Sequence, residues 1–312
     1  MSSEQVSIPY KRFLRPRYWP TWVLLGWMRL AALLPYPRQI TIGMWFGRFG
    51  LRFAKRSRHI VRRNLQTCFP ELSNEELERL LKKHFEAVGA AFSEMGLGWY
   101  SPTERLLRLV RVEGMEHLER ARDAGKGVIL LCAHFTSLEA STSILGELFP
   151  NLKTVHRPQP NEMLDAMIYR GRSRLSEQQI PKDSIRVMVR ALRDKGSVAY
   201  LADLANRGSN SALIPFFGEP AITITTVSKL AEMTDATVLT YFFRRLPGKA
   251  GYVANIGAPL DDFPTGDAVA DTRRLVELLE DYIRLAPEQY MWTYRRFKGR
   301  PESYPDIYRA DS

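Results

Sequence analysis

Residues 127–139 read G-V-I-L-L-C-A-H-F-T-S-L-E. The apolar run from Val128 to Ala133 is bounded by a glycine on one side and by a polar turn on the other, the pattern of a fully buried strand followed by a helix start. Downstream the same texture repeats, with short apolar runs at 152–156, 197–202, 237–243 and 250–256. Helical spacing fills the intervals at 136–148, 161–175, 184–195 (stopped by Gly196), 222–233 and 269–285. Such alternation predicts an α/β class, a mixed sheet flanked by helices. Upstream, Ser73-Asn74-Glu75-Glu76 fits a capping box, and Leu77, Leu80, Leu81, His84, Phe85, Val88, Phe92 and Met95 follow at helical spacing. A long helix over 73–100 therefore leads into an α/β body spanning 71–312.

Composition excludes two classes. With 312 residues and 45% apolar side chains, the chain can bury a substantial core and is not disordered. Cys68 and Cys132 are its two cysteines, so it is not a disulfide scaffold. They lie outside any zinc-like spacing, and no cleavable signal peptide is evident, which favours a reducing, cytosolic setting. No metal and no cofactor is expected.

Charge is concentrated at the N-terminus. Between Glu4 and Glu71 there is no acid but there are thirteen Lys and Arg residues, so residues 1–70 carry +12 of the formal +11, and the other 242 residues carry −1. Within this arm, Trp22 to Leu34 (W-V-L-L-G-W-M-R-L-A-A-L-L) is apolar apart from Arg29. That is short of the roughly 20 residues of a spanning helix, so it reads as a shallow or interfacial one. Tyr18, Trp19, Trp22 and Trp27 suit the headgroup level, and Pro35-Tyr36-Pro37 ends the helix. Ile40 to Ala54 then places Ile42, Phe46, Phe49 and Phe53 on one face beside Arg48, Arg52 and Lys55. The bland reading is a core-packed helix with a charged edge. A nucleic-acid patch is disfavoured by the bulky apolar residues between the charges. The arm at 1–70 is therefore expected to meet an anionic membrane surface, with no nucleic-acid partner.

His134 closes the strand, and Glu139 follows five residues on, where open α/β folds place their ligands. Imidazole titrates close to neutrality, so a histidine there can take a proton from a hydroxyl. Glu139, turned back from the first helical turn, would accept the other ring N–H. The bland alternative is a satisfied core histidine. Cys132 shares the strand face with His134 and reads either as a nucleophile or, more simply, as a small buried thiol. Asp203 follows the strand S-V-A-Y-L-A and either orients an arginine or caps the loop leading to Gly208.

Together these residues resemble the lauroyl/myristoyl (late) acyltransferases of lipid A biosynthesis, within the wider lysophospholipid acyltransferase superfamily. The resemblance runs along almost the whole chain. It is carried by R-P-R-Y-W at 15–19, L-P-Y-P at 34–37, R-N-L-Q-T-C-F-P at 63–70, V-E-G-M-E-H at 112–117 and the His134/Glu139 pair. H-R-P at 156–158, I-P-F-F-G-E-P-A at 214–221 and A-P-E-Q-Y-M-W-T-Y-R-R-F-K at 286–298 complete the series. It implies a bacterial inner-membrane enzyme facing the cytoplasm, moving a fatty acyl group from acyl carrier protein to a hydroxyl of a Kdo-bearing lipid A precursor. It also implies that His134 and Glu139 form the catalytic dyad, and that Arg157, Asp203 and the threonines Thr223, Thr225 and Thr226 belong to the site. The chain departs from the family at 203–205, where relatives often carry D-[QH]-D and this sequence has Asp203-Leu204-Ala205.

These assignments are chemically coherent. A thioester donor is already activated, so the enzyme needs a base and positive groups near the oxyanion, and no acyl-enzyme. An acceptor bearing phosphates and carboxylates would be held by Arg157, Arg170, Arg172 and Arg174 as bidentate forks. Acyl carrier protein is acidic and would dock on exposed basic residues. Two alternatives are an acyltransferase for another glycolipid, phospholipid or ornithine-type lipid, and a non-catalytic lipid-binding protein of the membrane surface. The first lacks the F-P-E-G-T-R-type motif of the glycerolipid branch; the second gives His134 and Glu139 no role.

Overall fold

A computed structural model describes residues 10–149, 151–173, 178–182, 184–205, 208 and 210–309. Four helices come first: α1 Trp19–Ala31, α2 Tyr36–Gly50, α3 Lys55–Cys68 and α4 Asn74–Tyr100. The short α5 Thr103–Leu107 precedes an alternating series: β1 Val110–Glu113, α6 Met115–Asp123, β2 Val128–Cys132, α7 Leu138–Leu148, β3 Leu152–His156, α8 Glu162–Arg172, β4 Gln178–Pro181, α9 Ile185–Arg193 and β5 Ser197–Leu201. The chain continues through β6 Ser211–Phe216, β7 Glu219–Ile224, α10 Thr226–Thr234, β8 Thr237–Arg245, β9 Tyr252–Ile256 and α11 Ala268–Leu285.

Seven strands form one mixed sheet in the order β1-β9-β8-β2-β5-β3-β4, antiparallel only between β8 and β9. The quoted strand β2 lies at its centre and is buried at every position. Its side chains alternate between two layers, as a strand's period of two requires. Leu130 packs with Ile144 and Leu145 of α7, and Ile129 and Leu131 pack with Met188 and Leu192 of α9 and Leu230 of α10. β6 and β7 form a separate antiparallel hairpin.

The register of β2 on β5 positions the site. Cys132 stands opposite Leu201, so two residues further, beyond the carboxyl ends of both strands, residue 134 meets residue 203. The two segments that sequence patterning keeps apart by 69 positions become neighbours.

Several elements differ from the sequence reading. The helix expected at 222–233 starts at Thr226, because Ile222 and Ile224 belong to β7 of the hairpin. β1 and β4, four residues each, carry no strand-length apolar run and escape pattern reading. The helix expected at 161–175 ends at Arg172, and Arg174 lies outside the described residues.

The N-terminal helices are built onto the body. α4 begins with the expected capping box, Ser73 and Glu76 bonding each other's backbone N–H, and it receives α1 and α2 along its length. A Cβ at Gly89 would run into the backbone of Gly43 and Gly47, and one at Gly96 into Met28, so glycines set how closely these helices approach. Met28 and Ile40 are wholly buried there. The opposite faces are open: Trp19, Val23, Leu30 and Leu33 of the first stretch, and Trp45, Phe46, Phe49 and Phe53 of the second, are exposed. The core-packed reading thus holds for one face of this arm, while the other face presents apolar and aromatic side chains to solvent. Among the described residues, no helix is long and apolar enough to cross a membrane.

Candidate active site

Asp203 grips His134 with both oxygens. The ring Nδ1 lies 2.7 Å from Oδ1, and the backbone N–H of His134 donates to Oδ2 at 2.9 Å. A carboxylate only accepts, so the ring proton sits on Nδ1 and the lone pair is left on Nε2. Among the described residues nothing bonds Nε2, and the side chain keeps 18% of its exposure. The Tyr290 hydroxyl also bonds Asp203. Burial by itself would raise the Asp203 carboxyl, but the His134 ring and these hydrogen bonds outweigh it and hold the group below the usual carboxylate range.

The turn that carries His134 is fixed from two sides. Met291 N–H donates to the His134 carbonyl at 2.8 Å, Thr136 N–H donates to the Gln289 carbonyl at 2.8 Å, and Phe135 and Tyr290 form an antiparallel bridge. Beneath it lies a buried ion pair, Arg245 Nε and Nη2 donating to Glu94 at 2.6 and 2.7 Å. Ser137 and Tyr252 donate to the same carboxylate at 3.0 and 2.8 Å. Ser137 precedes α7, so this network ties the histidine turn to α4, β8 and β9.

Glu139 is engaged elsewhere, which corrects the expected pairing. Its carboxylate receives Arg172 Nη2 at 2.6 Å and Nε at 3.3 Å, and Trp99 Nε1 at 3.3 Å. The ring partner of His134 is therefore Asp203, not Glu139. The physical reason is the register of β2 on β5, which brings a carboxylate to the ring from a neighbouring strand. Arg172, expected as a phosphate ligand, spends a bidentate contact on Glu139. Burial would lower its pKa, and the adjacent carboxylate more than restores it, leaving it raised.

Tyr294 joins the two halves. Its ring meets the His134 ring edge-on at 5.4 Å, and its pKa is raised by burial and by Asp203, against the pull of Arg157 and Arg172. The charge of Arg157, an exposed residue one position past β3, also reaches Tyr294. Arg170 does not: it reaches the Tyr10 hydroxyl on the exposed side of α8. Thr223 is buried behind Asp203, where its hydroxyl accepts from Arg296 Nη2 at 2.7 Å. Thr225 and Thr226, also buried, open α10.

Sequence reasoning missed Tyr290, Tyr294, Trp99, Arg296 and the Glu94–Arg245 pair. One signal was available: Glu94 on the apolar face of a long helix and the R-R that ends the apolar run T-V-L-T-Y-F-F are charges placed where they must be buried and paired. Cys132 is a buried thiol raised by burial and then by the Asp203 charge, the opposite of an activated nucleophile.

Comparison with known proteins shows the family of the chain. Residues 9–299 match the family model described as bacterial lipid A biosynthesis acyltransferase. The lipid A biosynthesis lauroyltransferase of Escherichia coli K12 is 37% identical over 297 residues, 95% of this chain and 96% of that protein. The palmitoleoyltransferase of the same strain is 35% identical over 302 residues, covering 96% and 97%, and its myristoyltransferase 26% over 301 residues, covering 96% and 93%. A match over nearly the whole length means that the chain belongs to the bacterial lipid A biosynthesis acyltransferase family.

Proposed function

We propose that the protein transfers a fatty acyl group from acyl carrier protein to a hydroxyl of a Kdo-bearing lipid A precursor, with His134 as general base and Asp203 as its partner. The observation that carries this reading is the Asp203–His134 contact, which leaves Nε2 as the free proton acceptor. Nε2 takes the proton from the acceptor hydroxyl as its oxygen attacks the thioester carbonyl. The C–O bond forms, the tetrahedral oxyanion collapses, the C–S bond breaks, and the proton held on His134 passes to the departing sulfur. Arg157 and Arg172, both near Tyr294, supply positive charge for the oxyanion or for acceptor phosphates. Glu139 keeps Arg172 in place. In this reading Thr223 shapes the wall behind Asp203, and Arg170 serves the acceptor's outer charges.

The exposed aromatic face of α1 and α2 supports a membrane-surface location on the cytoplasmic side of the bacterial inner membrane. Trp45 stacks on Phe49 at 5.9 Å and Phe49 meets Phe53 at 5.3 Å, and Arg52, next in sequence to Phe53, is exposed, a combination suited to headgroups. Truncating residues 1–38 would remove core residues such as Met28 and Ala31, so replacing Trp45, Phe49 and Phe53 by Ser is the cleaner probe; loss of cosedimentation with anionic vesicles is expected, in a folded protein.

The decisive experiment incubates the purified protein with a lipid A precursor and a panel of acyl carrier protein thioesters and follows products by mass spectrometry. A mass gain of one acyl chain on the precursor is expected. Transfer only to glycerophosphate or ornithine-type acceptors, or none to any, would overturn the reading.

A further inference from the structure

Arg296 is a buried cation that has no carboxylate partner among the described residues. It is 3% exposed. Its Nη1 donates to the Ile222 carbonyl at 2.9 Å, its Nη2 to Thr223 Oγ1 at 2.7 Å, and its guanidinium stacks 4.7 Å from the Phe216 ring centroid. All of these are neutral groups, and Nε is buried with no acceptor. An uncompensated buried charge is strongly destabilising, so a countercharge is expected nearby.

Elimination identifies it. Around this region Glu219 is paired with Arg300 and Glu280 with Arg284. Cys68 is kept protonated by burial, despite the pull of Arg296. Asp271 of α11 is taken up by the Ser228 hydroxyl and by the N–H and hydroxyl of Thr265, whereas Asp203 lines the same cavity as Arg296 and Thr223, between β2, β7 and α11. The Tyr290 hydroxyl, which bonds Asp203, responds to both charges: burial and Asp203 raise it and Arg296 lowers it.

We infer that Arg296 is the countercharge of Asp203 and a positioning residue for the base, acting on His134 through that carboxylate. The inference rests on His134 serving as the base; the charge pairing itself does not. Asp203 is faced by His134 and Cys132 at the end of β2 and by Tyr290 and Tyr294 of the C-terminal segment, and it shares its cavity with Arg296. Arg157, Arg172 and Glu139 stand around Tyr294. Of the cations, Arg172 has its own carboxylate, and Arg296 is the one enclosed on the far side of Asp203. A cation there stabilises the carboxylate and weakens the hold of the Asp203–His134 pair on a proton, so the base is free at lower pH.

Two measurements test this. Without substrate, the thermal midpoints of Asp203→Asn, Arg296→Gln and the double variant form a cycle. Each single change strands a buried charge and the double removes both, so the double is expected to fall no further than the worse single. Full additivity overturns the pairing, whatever reaction the protein performs. Should Arg296→Gln fail to fold alone, recovery of folding in the double supports the pairing and its failure, with Asp203→Asn folded, overturns it. With substrate, the acid limb of kcat/KM against pH is expected to move up by about one unit in Arg296→Gln and to stay in place in Arg296→Lys and Thr223→Val. A limb that stays put in a folded, active Arg296→Gln overturns the role of Arg296 in tuning the base.

Discussion

The C-terminal segment 286–292 lies over two histidines, one at each end, and gives them opposite environments. At one end the Glu288 carbonyl lies 3.0 Å from Nδ1 of His84, a ring of α4 with 0% exposure whose Nε2 has no partner. At the other, Met291 N–H holds the backbone of His134, whose ring is pinned by a carboxylate and remains open on its second nitrogen. Burial pushes His84 down to about 4, with only the carbonyl bond resisting. It is a neutral packing element. In the proposed function the same residue type serves as a base where a carboxylate supplies the partner and the cleft supplies access, so partner and exposure, not identity, would separate chemistry from packing.

The largest expected effect follows from that contrast. His134→Ala should lower turnover by about 10² to 10⁴-fold with a thermal midpoint close to wild type, because the ring fills no core. His84→Phe should do the reverse, keeping turnover at pH 7.5 while shifting stability. Initial rates and melting curves on both variants decide it. Near-normal turnover in His134→Ala would end the distinction.

Glu139→Gln sharpens the comparison by asking which group the second carboxylate serves. Neutralising it leaves Arg172 in a largely buried site without its countercharge, so both properties should fall: turnover by about 10-fold or more, since the guanidinium loses its orientation, and stability by up to about 3 kcal/mol. His134→Ala is expected to touch only the first. If Glu139→Gln matches His134→Ala in turnover and leaves the melting midpoint unmoved, the carboxylate acts on the ring after all.

This pair also shows what a sequence conceals. Spacing along one segment made Glu139 the natural partner, five residues away, whereas the actual partner comes from β5, and strand order is not encoded in any local pattern. Strands β2, β3, β5, β8 and β9 and helices α7 to α11 were legible because their apolar runs and periodicities are local properties, whereas α6 and the strands of the β6–β7 hairpin were not. Asp203 was legible as a site residue but not in its role, which depends on the register of Cys132 on Leu201. The N-terminal arm was legible as apolar and basic, but its packing depends on Gly43, Gly47 and Gly89 meeting across two helices. The hairpin at 211–224 escapes local pattern, and its last residues overlap the helix expected at 222–233 although Ile222 and Ile224 alternate as a strand does.

A smaller effect is the pH dependence of stability. In the unfolded chain His84 takes up a proton near the ordinary imidazole value, while in the native protein it resists until about pH 4. The native pKa is the lower one, so stability is lost as pH falls through this window, by about 2 kcal/mol between pH 7 and pH 5. Asp203, held below the usual carboxylate range, adds its own loss only at lower pH. Urea unfolding at the two pH values should show a drop that shrinks by about that amount in His84→Phe. An equal drop in both proteins would mean that His84 is not the buried neutral group described.

The smallest effect is expected at Cys132, two residues before His134 and on the same side of β2. Proximity alone would make it a nucleophile with the histidine as its base. Its thiol is enclosed, however, and burial together with the Asp203 charge raises it far from the thiolate form, while the ring proton on Nδ1 and the free Nε2 are already committed to Asp203 and the cleft. The thiol's role is to fill space between the sheet and its neighbours. Cys132→Ala should therefore keep turnover within about twofold and cost about 1 kcal/mol or less, the size of a small side-chain loss in a core. Intact-mass measurement of wild type mixed with donor thioester should show no covalent acyl adduct. An adduct that forms on wild type and disappears in Cys132→Ala would replace direct transfer with a two-step route, and would place the chemistry on the strand itself instead of on the turn that follows it.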